Sequence, residues 1–195
     1  MTNDEIERAT ARIEAMIEQH PEVAPERIRQ ELLRLRLQAG SFRSKRAKIL
    51  KTADALNEAA SDFAACKKGC GECCRMPTLI YEHEAAEMAR ASDRVIAKVP
   101  FRPRESVIQV MARHYGTPCP FLIDESCSIY ADRPHVCRVH LSFNDDASAC
   151  SSSQRIDQRA PVVMYNADLI EVPYNNIVLN YAPAEPWGCI QEFFP

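Results

Sequence analysis

Four thiols fall within nine residues, Cys66-Lys67-Lys68-Gly69-Cys70-Gly71-Glu72-Cys73-Cys74, and this run constrains the chain more than any other feature. Cysteines serving only as small buried hydrophobes would be scattered along a chain. These are gathered. Spacings of two or three residues let the backbone turn and aim several sulfurs at one centre. Gly69 and Gly71 would permit tight paths with positive φ and leave amides free to donate to thiolate. The neighbours Cys73 and Cys74 cannot easily point the same way, so one of them is open to serve a second metal, to bridge two metals, or to stay unligated.

Three further thiols follow in Pro118-Cys119-Pro120-Phe121-Leu122, Cys127-Ser128-Ile129-Tyr130 and Arg133-Pro134-His135-Val136-Cys137-Arg138. A tetrahedral zinc takes four N or S ligands, and a four-iron cluster takes four thiolates. Seven cysteines exceed one mononuclear site and suit one polynuclear centre or two centres. Lys67, Lys68, Arg133 and Arg138 are placed to offset the accumulated negative charge. His135 and His140 flank Cys137 and are candidate nitrogen ligands, although hydrogen-bonding or surface roles are the simpler expectation when thiols are in surplus.

The compartment decides how nine cysteines are read. The first residues, Met1-Thr2-Asn3-Asp4-Glu5, lack the basic and apolar regions of a secretory signal. No apolar run approaches the roughly 20 residues that span a bilayer. The expectation is a cytoplasmic protein with no membrane segment, where thiols persist as thiols or metal thiolates and seldom as disulfides. The odd total also argues against full pairing.

Apolar periodicity predicts a mainly α fold: an N-terminal helical region over 1–62, followed by an irregular, metal-organised cysteine-cluster domain over 63–195 with little β structure. Ile6, Ala9, Ile13, Met16 and Ile17 mark a helix from Asp4 to Gln19, which Pro21 and Pro25 interrupt. Ile28, Leu32, Leu35 and Ala39 mark one face of a second from about Glu26 to Gln38. Ile49, Leu50, Ala53, Leu56, Ala60 and Phe63 mark a third from Phe42 to about Ala64. Beyond the cysteine run, helices are expected over Tyr81 to Val99 and Arg104 to Tyr115. The last third, with Val162-Val163-Met164, Ile177-Val178-Leu179 and Pro161, Pro173, Pro183 and Pro186, fits strand and helix alike.

Basic residues dominate from Arg27 to Lys51, yet the formal net charge is only -3, and a solvated helical surface is expected in preference to a nucleic-acid face. Arg133 and Arg138 are expected to hold a carboxylate such as Asp124 or Asp132 and so brace their loop. Glu82, Glu84 and Glu87 read as a solvated helix face, and Phe121 and Tyr130 as packing residues. No G-x-S-x-G, P-loop or dinucleotide-binding pattern is present.

The cysteine run ending in Cys73-Cys74, Pro118-Cys119-Pro120-Phe121-Leu122, Cys127-Ser128-Ile129-Tyr130, and Arg133-Pro134 followed by Cys137-Arg138 together resemble the CxxCxxCC, or YkgJ-like, cysteine-cluster family, over about Phe63 to Cys150. One departure is that three residues, where the family has two, separate Cys66 from Cys70. The resulting C-x3-C-x2-C also occurs in radical S-adenosylmethionine enzymes, but the rest of the chain shows no alternating strand–helix series. The resemblance implies zinc or iron, with an iron-sulfur or polynuclear centre among the options. Its ligand candidates are Cys66, Cys70, Cys73, Cys74, Cys119, Cys127, Cys137 and Cys150, and it implies no role for Cys189. The expectation is a metal-binding protein whose reaction and further partner are not legible. The alternatives are an iron-dependent enzyme acting on a small molecule or peptide side chain, and a metal storage or delivery protein.

Overall fold

The computed structural model describes residues 2–67, 69–151 and 162–195, with Glu105 described by its backbone alone; Lys68 and Pro161 lie outside the described residues. The fold is mainly α, and among the described residues the strands form two small two-stranded sheets. Local signals set the first helices. Thr2 accepts from the Glu5 N–H while its own N–H donates to the Glu5 carboxylate, a reciprocal cap that starts α1 (Asn3–Gln19). Pro25 opens α2 (Pro25–Leu37), where a missing N–H costs nothing, and Ser41 caps α3 (Phe42–Ala59).

The chain forms two compact units, each discontinuous in sequence. The first combines Met1–Lys67, Arg138–Ala149 and Ala160–Pro183. Here α7 (Asp168–Tyr181) packs on α2 and α3, burying Ile170, Tyr174, Ile177 and Val178. The apolar run 177–179 is therefore helical, and Pro173 sits inside α7 rather than ending it. The stripes of α1 to α3 are buried at Ala9, Met16, Ile28, Leu32, Leu35, Ile49, Ala53 and Leu56, while Ile6, expected inside, is exposed. The basic stretch also departs from a purely solvated face. Arg46 is buried with its Nε donating to Tyr174 Oη at 2.8 Å, and Lys45 is buried with its Nζ donating to the Arg36 carbonyl at 3.1 Å. Asp145 is bound by Arg8 and Arg12, each at 2.6 Å.

The second unit combines Lys68–Cys137, Cys150–Arg159 and Ala184–Pro195. Strand β1 (Leu79–Tyr81) leads directly into α4 (Glu82–Ser92), and Asp93 in the left-handed region (φ 53°) ends that helix. The predicted helix over Tyr81 to Val99 is thus too long at its C-terminal end, because the spacing of Ile96 and Val99 imitates a helical repeat in a segment that packs without one. Helix α5 (Val107–His114) follows a 3-10 turn. A tight hairpin of β2 (Leu122–Ile123) and β3 (Ser126–Cys127) then turns through Asp124 and Glu125, both with positive φ. Short α6 (His135–Val139) starts beyond Pro134. From the far end of the chain, β4 (Trp187–Cys189) pairs antiparallel with β1, Ile80 opposite Gly188, and continues into α8 (Ile190–Phe193). Ile80, Ala85, Met88, Val99, Phe121, Ile129, Ile190, Phe193 and Phe194 form the core of this unit, and Cys119 and Cys127 pack against it.

Candidate metal centre

The loop carrying Cys70, Cys73 and Cys74 is shaped by two glycines in different ways. Gly69 has φ 91°, which only glycine adopts without strain. Gly71 does not need positive φ; its φ is −99°, and what it lacks is room. A Cβ there would meet Glu125 Oε2 at 2.6 Å and Leu122 Cδ1 at 3.0 Å. Cys73 and Cys74 lie in the 3-10 turn Glu72–Arg75 that follows.

Three sets of bonds fasten this turn to the hairpin segment. The Cys74 carbonyl accepts from Cys119 N at 2.7 Å, and the Arg75 carbonyl accepts from Gly116 N at 3.1 Å. The Arg75 guanidinium grips both oxygens of Glu125 at 2.9 and 2.5 Å and also reaches the Gly71 carbonyl. A fork-to-carboxylate pair fixes orientation as well as distance. The hairpin itself sets Cys119 and Cys127. Leu122 N closes a turn onto the Cys119 carbonyl at 2.9 Å, Leu122 pairs with Cys127, and Ser128 N donates to the Phe121 carbonyl at 2.8 Å. Phe121 anchors the hairpin in the core, edge-on to Phe194 with ring centres 4.8 Å apart.

As a result the thiols of Cys73, Cys74, Cys119, Cys127 and Cys137 act on one another. Cys73 is hydrogen-bonded to Cys74, which with burial pushes its pKa far up, against the pull of Arg133. Burial raises Cys119 to about 11; the Phe121 amide opposes this, while Cys127 and Cys73 add to it. Burial also raises Cys127, opposed by the Ile129 amide and Arg133. Cys137 is pushed well up by burial and then by charge on Cys73 and Cys119. Crowded thiols in a low-dielectric pocket resist ionising together, and a bound cation reverses that balance. Amides aimed at the sulfurs two residues upstream, from Phe121 to Cys119 and from Ile129 to Cys127, donate to sulfur and so stabilise its thiolate form. The soft donor set suits zinc or iron-sulfur chemistry.

The start of α6 is fixed by Glu84. Glu84, expected on a solvated face, is 1% exposed. Its Oε2 accepts from Tyr81 N at 3.1 Å, and its Oε1 accepts from His135 N at 3.0 Å and faces His135 Nδ1 at 3.0 Å. Burial works to raise its pKa, but the charge and hydrogen bonds of His135 outweigh burial and hold it at about 2. A periodic pattern reports which face of a helix is apolar, not that a polar face will be covered by a distant loop. His135 is thus spent on a carboxylate two residues before Cys137.

Cys70 is half-buried in the loop before Cys73. Cys66 belongs to the first unit, where its sulfur accepts from Ser142 N at 3.3 Å and lies 3.9 Å from the His140 carbonyl. Cys150 is buried at the end of the 3-10 turn Ser148–Cys150, and Cys189 is fully buried at the end of β4. None of the nine cysteines is in a disulfide. Burial lowers the pKa of His140, in the first unit. Arg138 pairs with the Asp54 carboxylate. Arg133 donates to the Tyr130 carbonyl at 3.1 Å and lies 3.6 Å over the Tyr130 ring. Arg75 and Arg94, the latter acting on Cys119, were not singled out from sequence. Their signal would have been a cation beside a cysteine segment, which is too common to select them.

A helical scaffold with loops that converge thiols, backed by amides and arginine, defines a cysteine-cluster metal-binding class. Residues 65–155 match the family model CxxCxxCC, described as "Putative zinc- or iron-chelating domain". No curated protein and no solved structure matches the chain.

Proposed function

We propose that Cys70, Cys73, Cys74, Cys119, Cys127 and Cys137 are the ligands through which the chelating domain holds its zinc or iron, in a polynuclear or iron-sulfur centre of a cytoplasmic protein. The observation that carries this reading is the convergence of thiols from the Glu72–Arg75 turn, the hairpin and α6: burial raises Cys119, Cys127 and Cys137, and neighbouring thiols add to it, while Cys73 is raised first by its hydrogen bond to Cys74. More thiolates gather than one tetrahedral ion uses. When bound, the metal supplies the charge that stabilises the thiolates and cross-links loops with little regular structure, so metal binding contributes directly to folding. Arg133 and the amides of Phe121 and Ile129 orient the sulfurs and offset their charge.

The test is elemental analysis with absorption and Mössbauer spectra on anaerobically purified protein. Inert stoichiometric zinc would assign a structural role. Redox-active iron would assign catalysis, and readily exchanged substoichiometric metal would assign delivery. Cys70→Ser and Cys73→Ser should each lose metal. Fully folded protein without metal would overturn the reading. The same measurement on Cys66→Ser and Cys150→Ser decides whether the set is larger.

A further inference from the structure

A second set of donors shares no residue with the proposed thiolate ligands. His114, Cys189 and Glu192 place an imidazole nitrogen, a sulfur and a carboxylate oxygen all within 4.8 Å of one another. Cys189 and Glu192 lie beyond residues 65–155, outside the family match.

Three elements of the second unit build this group. His114 is the last residue of α5, which packs on β4; Cys189 ends β4; Glu192 lies in the single turn of α8. Cys189 is fully buried, while His114 and Glu192 are partly exposed. Part of the geometry is a helix cap, since Glu192 Oε2 accepts from Cys189 N at 3.0 Å and the Cys189 side chain accepts from the Glu192 amide. That cap accounts for Cys189 beside Glu192. It does not account for a histidine brought in from α5.

The carboxylate is also unusually well held. Arg102 donates to Glu192 Oε1 at 2.9 Å. Gly188 leaves room for Oε2, because a Cβ there would meet that oxygen at 2.6 Å and Val99 Cγ1 at 3.2 Å. A carboxylate has about four lone-pair sites, so these two bonds leave acceptor capacity and fix its orientation, as outer partners of metal ligands do.

We propose that His114, Cys189 and Glu192 bind one divalent cation of the zinc class, with water in the fourth position. Zinc accepts nitrogen, sulfur and oxygen together. Its ordinary bond lengths put the donors of a tetrahedral site about 3.3–3.8 Å apart, a modest side-chain rotation from the observed spacing. The Cys189 proton leaves to solvent as the metal–sulfur bond forms, with no change of oxidation state. Three protein ligands and an open position are the composition of a reactive zinc site rather than a closed structural one.

The experiment uses the full chain, loaded anaerobically with Zn(II) and freed of loosely held ion. Zinc per chain and zinc-edge X-ray absorption are measured for the wild type, His114→Ala and Glu192→Gln. The second variant keeps a hydrogen-bonding group for the cap. The expected result is loss of about one zinc per chain in both variants, with the difference spectrum rich in nitrogen and oxygen donors. A wild-type zinc count and spectrum in either variant would overturn the proposal. The reading of the thiolate centre fails separately, through Cys73→Ser retaining all its metal.

Discussion

Glu84→Gln is the most informative single change in the second unit. The wild-type carboxylate, 1% exposed, faces three donors: Tyr81 N, His135 N and His135 Nδ1. An amide of the same shape has one oxygen. If that oxygen stays on His135, the new NH2 group confronts the buried Tyr81 N–H, and the lost acceptor costs about 1–3 kcal/mol. The bond to His135 also loses its charge assistance, worth about another 1 kcal/mol. The expected total is about 3 kcal/mol, at the lower edge of the ~3–5 kcal/mol for breaking a buried pair on one side. Urea unfolding at pH 7, followed through Trp187, the sole tryptophan and a member of the same unit, reads this directly. The sign with pH follows from the folded pKa of about 2. A carboxylate depressed on folding contributes stability above its unfolded value of about 4.3, and that contribution is lost as pH falls through the folded value. The gap between wild type and variant should therefore be full at pH 7, shrink below about pH 4 and close near pH 2. A loss under about 1 kcal/mol at pH 7, or a gap that widens in acid, would refute the reasoning.

Phe121→Ala should cost about 3–5 kcal/mol in the same urea assay, since a 2% exposed ring stacked edge-on to Phe194 leaves a cavity under the hairpin. It should also release metal more readily, because Cys119 and Cys127 rest on that core. Gly71→Ala should displace the Glu125 carboxylate from Arg75; a lower melting temperature matched by Arg75→Ala, with the double variant no worse than either single, would bear this out. Asp145, held at about 2 by hydrogen bonds from Arg8 and Arg12, supports the first unit above about pH 4 and loses that support toward pH 2. Asp145→Asn should accordingly lower the melting temperature at pH 7 but leave it unchanged at pH 2, as measured by circular dichroism.

Helices α1 to α3 were legible in sequence because their causes are local: an N-cap, a proline at the first position, and an apolar repeat that any neighbour can cover. The thiol pattern was legible for a similar reason, since spacings of two and three residues restrict where sulfurs can point whatever else the chain does. The β2–β3 hairpin was not, because its turn is Asp124-Glu125 where Asn-Gly would announce it. Pairing of β1 with β4 and the docking of α7 on α2 and α3 join residues far apart in the chain, and two or three strand residues carry too little periodicity to name a partner. Burial of Glu84 depends on Pro134-His135 arriving over α4, and the meeting of His114 with Cys189 and Glu192 depends on α5 packing against β4. Sequence by itself thus determined the helical composition and the metal-binding character, which arise from short-range spacing. Tertiary structure alone decided which thiols face one another and which carboxylates are buried, because those are set by long-range contacts whose ordering cost is met only when the whole unit packs.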